Sequence, residues 1–269
     1  MFRRSRNREA FAREAAETKE LVEKYGIFDL KGSRFGLCVN KCTKDDPCPR
    51  FVRLYAKMGL HRYNLLQGTK FKLKGVRKYI ETLGSPAATY YITLYAIDQA
   101  GGSSCQTFQI QVSQMGCNQF MLTCDIARIR GECKSAKQTM LLDIRLPEWP
   151  PENPFERYCL GKEELKSNDW IRLYLKLTLA TRVRYGDSKI QLEIVNVATD
   201  LVPPGLNAKN ATFYIRYNDL SKIALGEVSD DIAIVRRRFD EDTGCFVLVG
   251  QSHRSSEILP EKLPIISRF

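Results

Sequence analysis

Along the first 25 positions, apolar residues recur at helical spacing. Phe11, Ala15, Leu21, Val22 and Tyr25 stand among charged neighbours, which predicts an opening helix. The next stretch, "DLKGSRFGLCVNKCTKDDPCPR", is rich in Gly, Cys and Asp and predicts loop. Helical periodicity returns over 50–66, where Phe51, Leu54, Tyr55, Met58 and Leu65 suit one face. The pattern then changes to alternation. In "TKFKLKGVRKYIE", Phe71 and Leu73 point one way and Lys70, Lys72 and Lys74 the other, as in a half-buried strand. "ATYYITLYAID" is dense in aromatic and β-branched residues, "DQAGGSS" is a turn, and "TFQIQVSQ" alternates Phe108, Ile110 and Val112 with polar residues. A strand near "QFMLTCDIARIR" completes a meander.

A connector follows, because Pro147, Pro150, Pro151 and Pro154 crowd "LPEWPPENPFERY" and can build neither a helix nor a central strand. Beyond it the order repeats. "DWIRLYLKLTLATRV" matches "RFVRLYAKMGLHRYN", with Arg172, Leu173, Tyr174 and Lys176 each 119 positions after Arg53, Leu54, Tyr55 and Lys57. "ATFYI" answers "ATYYI", Thr212 following Thr89 by 123 positions. Two matches in the same order, at offsets four residues apart, indicate a duplicated helix-then-sheet unit. "SKIQLEIVNVATD", "DIAIVRRRF", the turn "DEDTG" and "CFVLVG" supply the remaining strands. Ile171, Leu173, Leu175, Leu177 and Leu179 also alternate as a strand would. Capping residues Ser167, Asn168 and Asp169, and the parallel with the first half, select a helix over 168–180.

The expected class is α+β, with two units, each an antiparallel sheet wrapped on one helix. The expected boundaries are an N-terminal helix and Cys-containing loop over 1–49, unit 1 over 50–134, the proline-rich connector over 135–162, unit 2 over 163–252 and a C-terminal tail over 253–269. Length agrees, since 269 residues exceed what one core usually holds.

Composition changes the picture little. Lys and Arg number 42 against 31 Asp and Glu, a net charge of +11 that favours attraction to acidic partners or nucleic acid. No run approaches a membrane-spanning length, and the arginine-rich start lacks the apolar core of a secretory signal, so cytoplasm or nucleus is expected. In such a compartment the nine cysteines are expected to be free thiols.

A helix, a long strand, a loop, a Tyr-Tyr-rich strand and a further hairpin resemble the cystatin fold, most closely at "TYYITLYAID". More specifically, "YAKMGLHRYNLLQGTKF", "ATYYITLYAID", "NDWIRLYLKL", "PPGLNAKNATFYI" and "IVRRRFDEDTG" resemble an uncharacterised plant protein family, cystatin/monellin-like and expanded in the mustard lineage. That resemblance implies the fold, a plant origin and an association with embryo development, and no activity. Aligned to plant cystatins, Leu83, Gly84, Ser85, Pro86 and Ala87 fall at the first inhibitory loop, and Gln114 and Met115 fall where Pro-Trp should stand. The Gln-x-Val-x-Gly and Pro-Trp elements are missing. Gly84, Ser85, Pro86, Gln114 and Met115 are therefore candidates for an interaction loop rather than a protease wedge.

Other chemistry is thinly represented. Cys38, Cys42 and Cys48 are spaced more widely than paired zinc ligands, and His61 is the nearest further donor. His61 and His253 are the two histidines, and neither stands in a nucleophile motif. "AGGSS" lacks the lysine and helix of a phosphate loop. No enzyme activity, cofactor or metal is expected. The strand "KFKLKGVRK" with Tyr79 reads as a solvated outer face before it reads as a nucleic-acid track. The function expected is protein–protein interaction with an unidentified partner, ahead of cysteine-protease inhibition and, third, weak nucleic-acid binding.

Overall fold

The computed structural model describes residues 2–85, 87–99, 104–115, 120–132, 145–156, 159–180, 191–200 and 206–258. The chain is α+β, dominated by antiparallel sheet. It divides into two compact units. One comprises Met1–Cys117, Met121–Met140 and Asp240–Phe246, the other Asn118–Phe120, Leu141–Phe239 and Val247–Phe269.

In the first unit, helix α1 (Phe2–Tyr25) and a short 3-10 turn (Ile27–Asp29) precede strand β1 (Leu37–Lys41), helix α2 (Arg50–Gln67) and strands β2 (Phe71–Thr82), β3 (Ala88–Asp98), β4 (Cys105–Gln114) and β5 (Phe120–Ile129). The strands lie in the order β1-β2-β3-β4-β5, all antiparallel. Helix α2 packs on β2, β3 and β4 and buries Val52, Tyr55, Met58, Leu60 and Tyr63. The sheet meets it with alternate residues, Tyr90, Ile92, Leu94 and Ala96 of β3 and Phe108, Ile110 and Val112 of β4. Gly59 lets the two layers approach, since a Cβ there would stand 2.3 Å from the Ile110 Cγ2.

The end of α2 is joined to β2 by one side chain. The Asn64 amide donates to the Phe71 carbonyl, and its oxygen accepts from the Phe71 N–H and the Thr69 hydroxyl, all at 2.9 Å. Asn64 thereby serves orphan groups at the helix-to-strand corner. The regular alternation predicted for β2 stops at two register shifts, Leu73/Gly75 and Val76/Lys78, after which neighbouring Tyr79 and Ile80 are both buried. Strand β1 corrects the loop predicted over this stretch. It is five residues long, half-buried, and paired with the far half of β2, from Leu37↔Thr82 to Lys41↔Lys78.

In the second unit the described part of the connector leads to α3 (Lys162–Ser167), α4 (Asp169–Ala180), β6 (Leu192–Thr199), β7 (Ala211–Asp219), the single turn α5 (Leu220–Ile223), β8 (Asp231–Phe239), β9 (Phe246–Arg254) and α6 (Ser255–Ile258). The strand order is β9-β8-β7-β6. Residues 169–180 are helical despite their strand-like alternation. Ile171, Leu173, Tyr174, Leu175, Leu177 and Thr178 are all buried, so this helix is apolar around most of its circumference, and such a helix can mimic a period of two. Residues 145–156 are more than a spacer, because Trp149 and Phe155 pack on Ala198, Tyr214 and Ile234. The Leu160 N–H then bonds the Val197 carbonyl at 2.8 Å.

Helix, then antiparallel strands, is thus the order in both units. Tyr55 and Tyr174 lie equivalently. Each is buried and in contact with the ring four residues earlier on its helix (Phe51, Trp170) and with a ring of the following sheet (Tyr90, Phe213). Tyr91 meets Phe28, and Tyr214 meets Trp149, in T-shaped contacts at 5.6 and 5.5 Å. Among the described residues no helix is long and apolar enough to cross a membrane.

Candidate functional site

The strand register gathers part of the predicted interaction loop. Ala88 pairs with Gln114, and Gln114 with Leu122, so the β2–β3 and β4–β5 connections share one end of the first sheet. Gly84 turns the former with φ 79, a conformation that favours glycine, and the Ser85 hydroxyl accepts from the Ala87 N–H at 3.3 Å. Met115 donates its N–H to the Met121 carbonyl. Pro86 lies outside the described residues. Gln114 is corrected. It is the last residue of β4 and only 1% exposed, and its amide oxygen accepts from the Tyr55 hydroxyl at 3.1 Å, so it belongs to the core.

The counterpart of Gln114 carries a charge. Arg237 pairs with Ala211 on β7 as Gln114 pairs with Ala88 on β3, and it is 0% exposed. Its guanidinium centre lies 4.9 Å from the Trp170 ring and 5.3 Å from that of Phe213. One terminal nitrogen donates to the Tyr174 hydroxyl at 3.2 Å, the other to the carbonyls of Leu206 and Ala208. Its Nε has no hydrogen-bond partner among the described residues, and no carboxylate among them pairs with it. Burial pushes the Tyr174 phenol up to about 12, although the arginine opposes the shift. This is a structural clamp in which dipoles and aromatic faces replace a counter-ion. In the run Arg236-Arg237-Arg238 only strand parity tells the buried residue from its neighbours.

The predicted basic strand divides in the same way. Lys70, Lys72, Lys74 and Arg77 are exposed. Lys78 instead donates to the Leu30 carbonyl at 2.8 Å, and desolvation holds its pKa below the ordinary value. His61 lies against the Phe246 ring, and His253 stands 4.0 Å from Glu257. Among the described residues no group of three His, Cys, Asp or Glu side chains is arranged to hold a metal.

One surface feature escaped sequence reasoning. The β7–β8 hairpin ends in a tip on which Leu220, Ile223, Leu225 and Val228 are 37%, 45%, 78% and 94% exposed. The tip is well braced. Asp219 caps α5 through the Ser221 N–H, and the Ser229 hydroxyl accepts from the Asp219 N–H and donates to Asp231. Lys222 stands 3.9 Å from Asp231, and the Leu220 N–H bonds the Gln191 carbonyl. The available signal was four aliphatic residues in nine positions between strands, without the alternation that would bury them.

Two helix-and-antiparallel-sheet units define an α+β protein by class, and similarity then places it in a family. The profile of the family described as Protein MS5 matches residues 146–248. The chain is 56% identical over 164 residues to UPF0725 protein At3g25080 of Arabidopsis thaliana, covering 58% of this chain and 95% of that one. It is 39% identical over 236 residues to UPF0725 protein EMB2204 of the same plant, covering 80% and 71%. The crystal structure of MS5 from Brassica napus superposes with a TM-score of 0.62 at 34% identity, covering 77% of this chain and 98% of that one. The chain belongs to this UPF0725/MS5 family of plant proteins.

Proposed function

We propose that the protein is a non-enzymatic interaction module that docks on a partner protein through the tip of the β7–β8 hairpin. The observation that carries this reading is the exposure of Leu220, Ile223, Leu225 and Val228 on a braced turn. Clustered exposed aliphatic side chains cost solubility and mark contact sites. A hairpin already held in shape loses little conformational freedom on binding. The occupant that suits it is a protein surface with an apolar pocket. The finer architecture proposed is a pair of cystatin-like units, and the working place proposed is the cytoplasm or nucleus. A connection with embryo development is supported by the family resemblance and by the name EMB2204 of one relative.

The test compares tagged protein with its Leu225→Asp/Val228→Asp variant, recovering bound proteins from plant tissue. Both side chains are mainly solvent-exposed, so thermal stability should stay unchanged. A partner that depends on the tip should fall about tenfold or more in recovery, since burying a charge at an interface centre costs on the order of 2 kcal/mol. Equal recovery of every partner by the two proteins would sink the reading.

A further inference from the structure

Strands β2 to β5 send alternate residues to the face opposite α2, and the register sets these in rows across the sheet. One row reads Lys78, Thr93, Gln109 and Arg128, with Lys41 of β1 beside Lys78. The next holds Gly75, Tyr95 and Thr107, and Arg130 extends it by donating its N–H to the Thr107 carbonyl. A third pairs Lys72 with Ile97. Opposite and diagonal neighbours on such a face stand about 5–8 Å apart, which puts Lys72 and Lys78 on either side of Tyr95. The loop before β1 gathers two more of the heads. Lys78 donates to the Leu30 carbonyl at 2.8 Å, and Arg130 reaches back to the adjacent Asp29 carboxylate at 2.9 Å. Arg128 is held by Gln109, whose amide oxygen accepts from it at 3.2 and 3.1 Å.

Tyr95 itself is 37% exposed. Its cross-strand partner is a glycine, and a Cβ built on Gly75 would meet no atom within 4 Å, so the space beside the ring is open. Tyr79, the aromatic residue of the basic strand, is buried and leaves that role to Tyr95. Lysines on a border strand guard it against pairing with other chains. That does not explain Lys78, which is paired on both sides, with Lys41 and Thr93. We infer that this face, centred on Tyr95, binds single-stranded nucleic acid. One base stacks on the tyrosine in the space over Gly75, and the flanking phosphates meet Lys72, Lys78, Arg128 and Arg130. Buried Thr93 and Gln109 make the floor polar, which suits a hydrated polyanion better than an apolar protein surface. Cations alone would serve an acidic peptide equally. The exposed ring with room beside it adds what only a base needs, a flat face to stack on. The site belongs to the first unit and the hairpin tip to the second, so the two proposals stand or fall separately.

The test titrates full-length protein into fluorescently labelled oligouridylate and oligothymidylate of about 12 nucleotides and follows anisotropy. Preference for one of the two assigns RNA or DNA and supports the site either way. The logarithm of the association constant should fall with log salt at a slope of about −2 to −3, from roughly 0.7 for each phosphate neutralised. Lys72→Gln/Arg130→Gln should flatten that slope by about 1.4. Tyr95→Leu should weaken binding about tenfold at fixed salt with the slope kept, and Tyr95→Phe should bind as the parent does. Lys57→Gln/Arg238→Gln removes the same charge from exposed positions elsewhere and should change affinity far less. Tyr95 is exposed, so its variants should keep the thermal midpoint of the parent. Unchanged affinity in Tyr95→Leu, or equal weakening by the control pair, would reduce the binding to net charge and overturn the proposal. A labelled oligoglutamate peptide bound as tightly as the oligonucleotides, or no saturable binding of either oligonucleotide, would overturn it as well.

Discussion

Arg237 and Gln114 solve one packing problem twice with different chemistry. Each is the buried polar residue opposite an alanine, hydrogen-bonded to the tyrosine of its helix. The amide oxygen accepts from one tyrosine, whereas the guanidinium also donates to two loop carbonyls. Arg237→Ala should therefore cost about 3–5 kcal/mol in denaturant unfolding, through lost packing and lost hydrogen bonds to Tyr174, Leu206 and Ala208. Arg237→Lys should recover only part of this, because one ammonium cannot reproduce the planar fork. The pH dependence has a definite sign. Tyr174 titrates at about 12 when folded and near 10 when unfolded. Its contribution is complete below about pH 10 and disappears as pH rises towards 12. Tyr79, pushed up to about 12 mainly by burial, acts in the same direction. Stability measured from about pH 8 to 11.5 should fall with rising pH, and Tyr174→Phe should flatten the fall. An unchanged slope in that variant would remove Tyr174 from the account.

Elements were legible where period and end signals agreed. Helix α2 was expected over 50–66 and runs Arg50–Gln67, because its apolar stripe is clean and Gly68 closes it. Strand β1 was hidden, since five half-buried residues between Gly36 and Cys42 leave too little alternation to outweigh the surrounding loop composition. The 169–180 segment reads either way, and its neighbours in sequence decided correctly. Of the residues proposed for an interaction loop, Gln114 pairs with Ala88 at one end of the first sheet, but strand parity turns its side chain inward. The hairpin tip left a signal, aliphatic residues without alternation, but an aliphatic residue in a loop has the same letter whether it is covered or bare, so its exposure was not legible. Helix-to-sheet distance is also invisible in sequence until a glycine reveals it. Gly59→Ala should destabilise by about 1–3 kcal/mol, because three atoms of buried Ile110 lie within 3.0 Å of the new methyl group. A companion Ile110→Val change should recover part of that loss in equilibrium unfolding. Additive losses in the double variant would refute the steric explanation.

For the whole chain, the family relationship supplies ancestry without an activity, so the strongest statement is about what the surface can grip. The end of the first sheet that carries Gly84 and Ser85 on one connection and Met115 on the other has Gln114 withdrawn into the core, and the sequence there lacks the inhibitory motifs of cystatins. Each missing anchor costs on the order of 2 kcal/mol, and three compound to several powers of ten. Papain should remain fully active at about 1 µM of this protein in a standard peptide assay, and a nanomolar inhibition constant would reverse the ranking of functions. The border of the second sheet has a different consequence. Strand β6 is terminal in its order, a position that invites other chains to add themselves. Cys159 bridges Ala198, and Leu160 occupies the Val197 carbonyl, so part of that border is already taken by the protein's own backbone. The unbridged portion begins at Leu192 and carries charged Glu193 beside Ile194 and Val195. Among the described residues of β6 the free length admits a foreign strand of no more than a few residues, too short to seed a fibril.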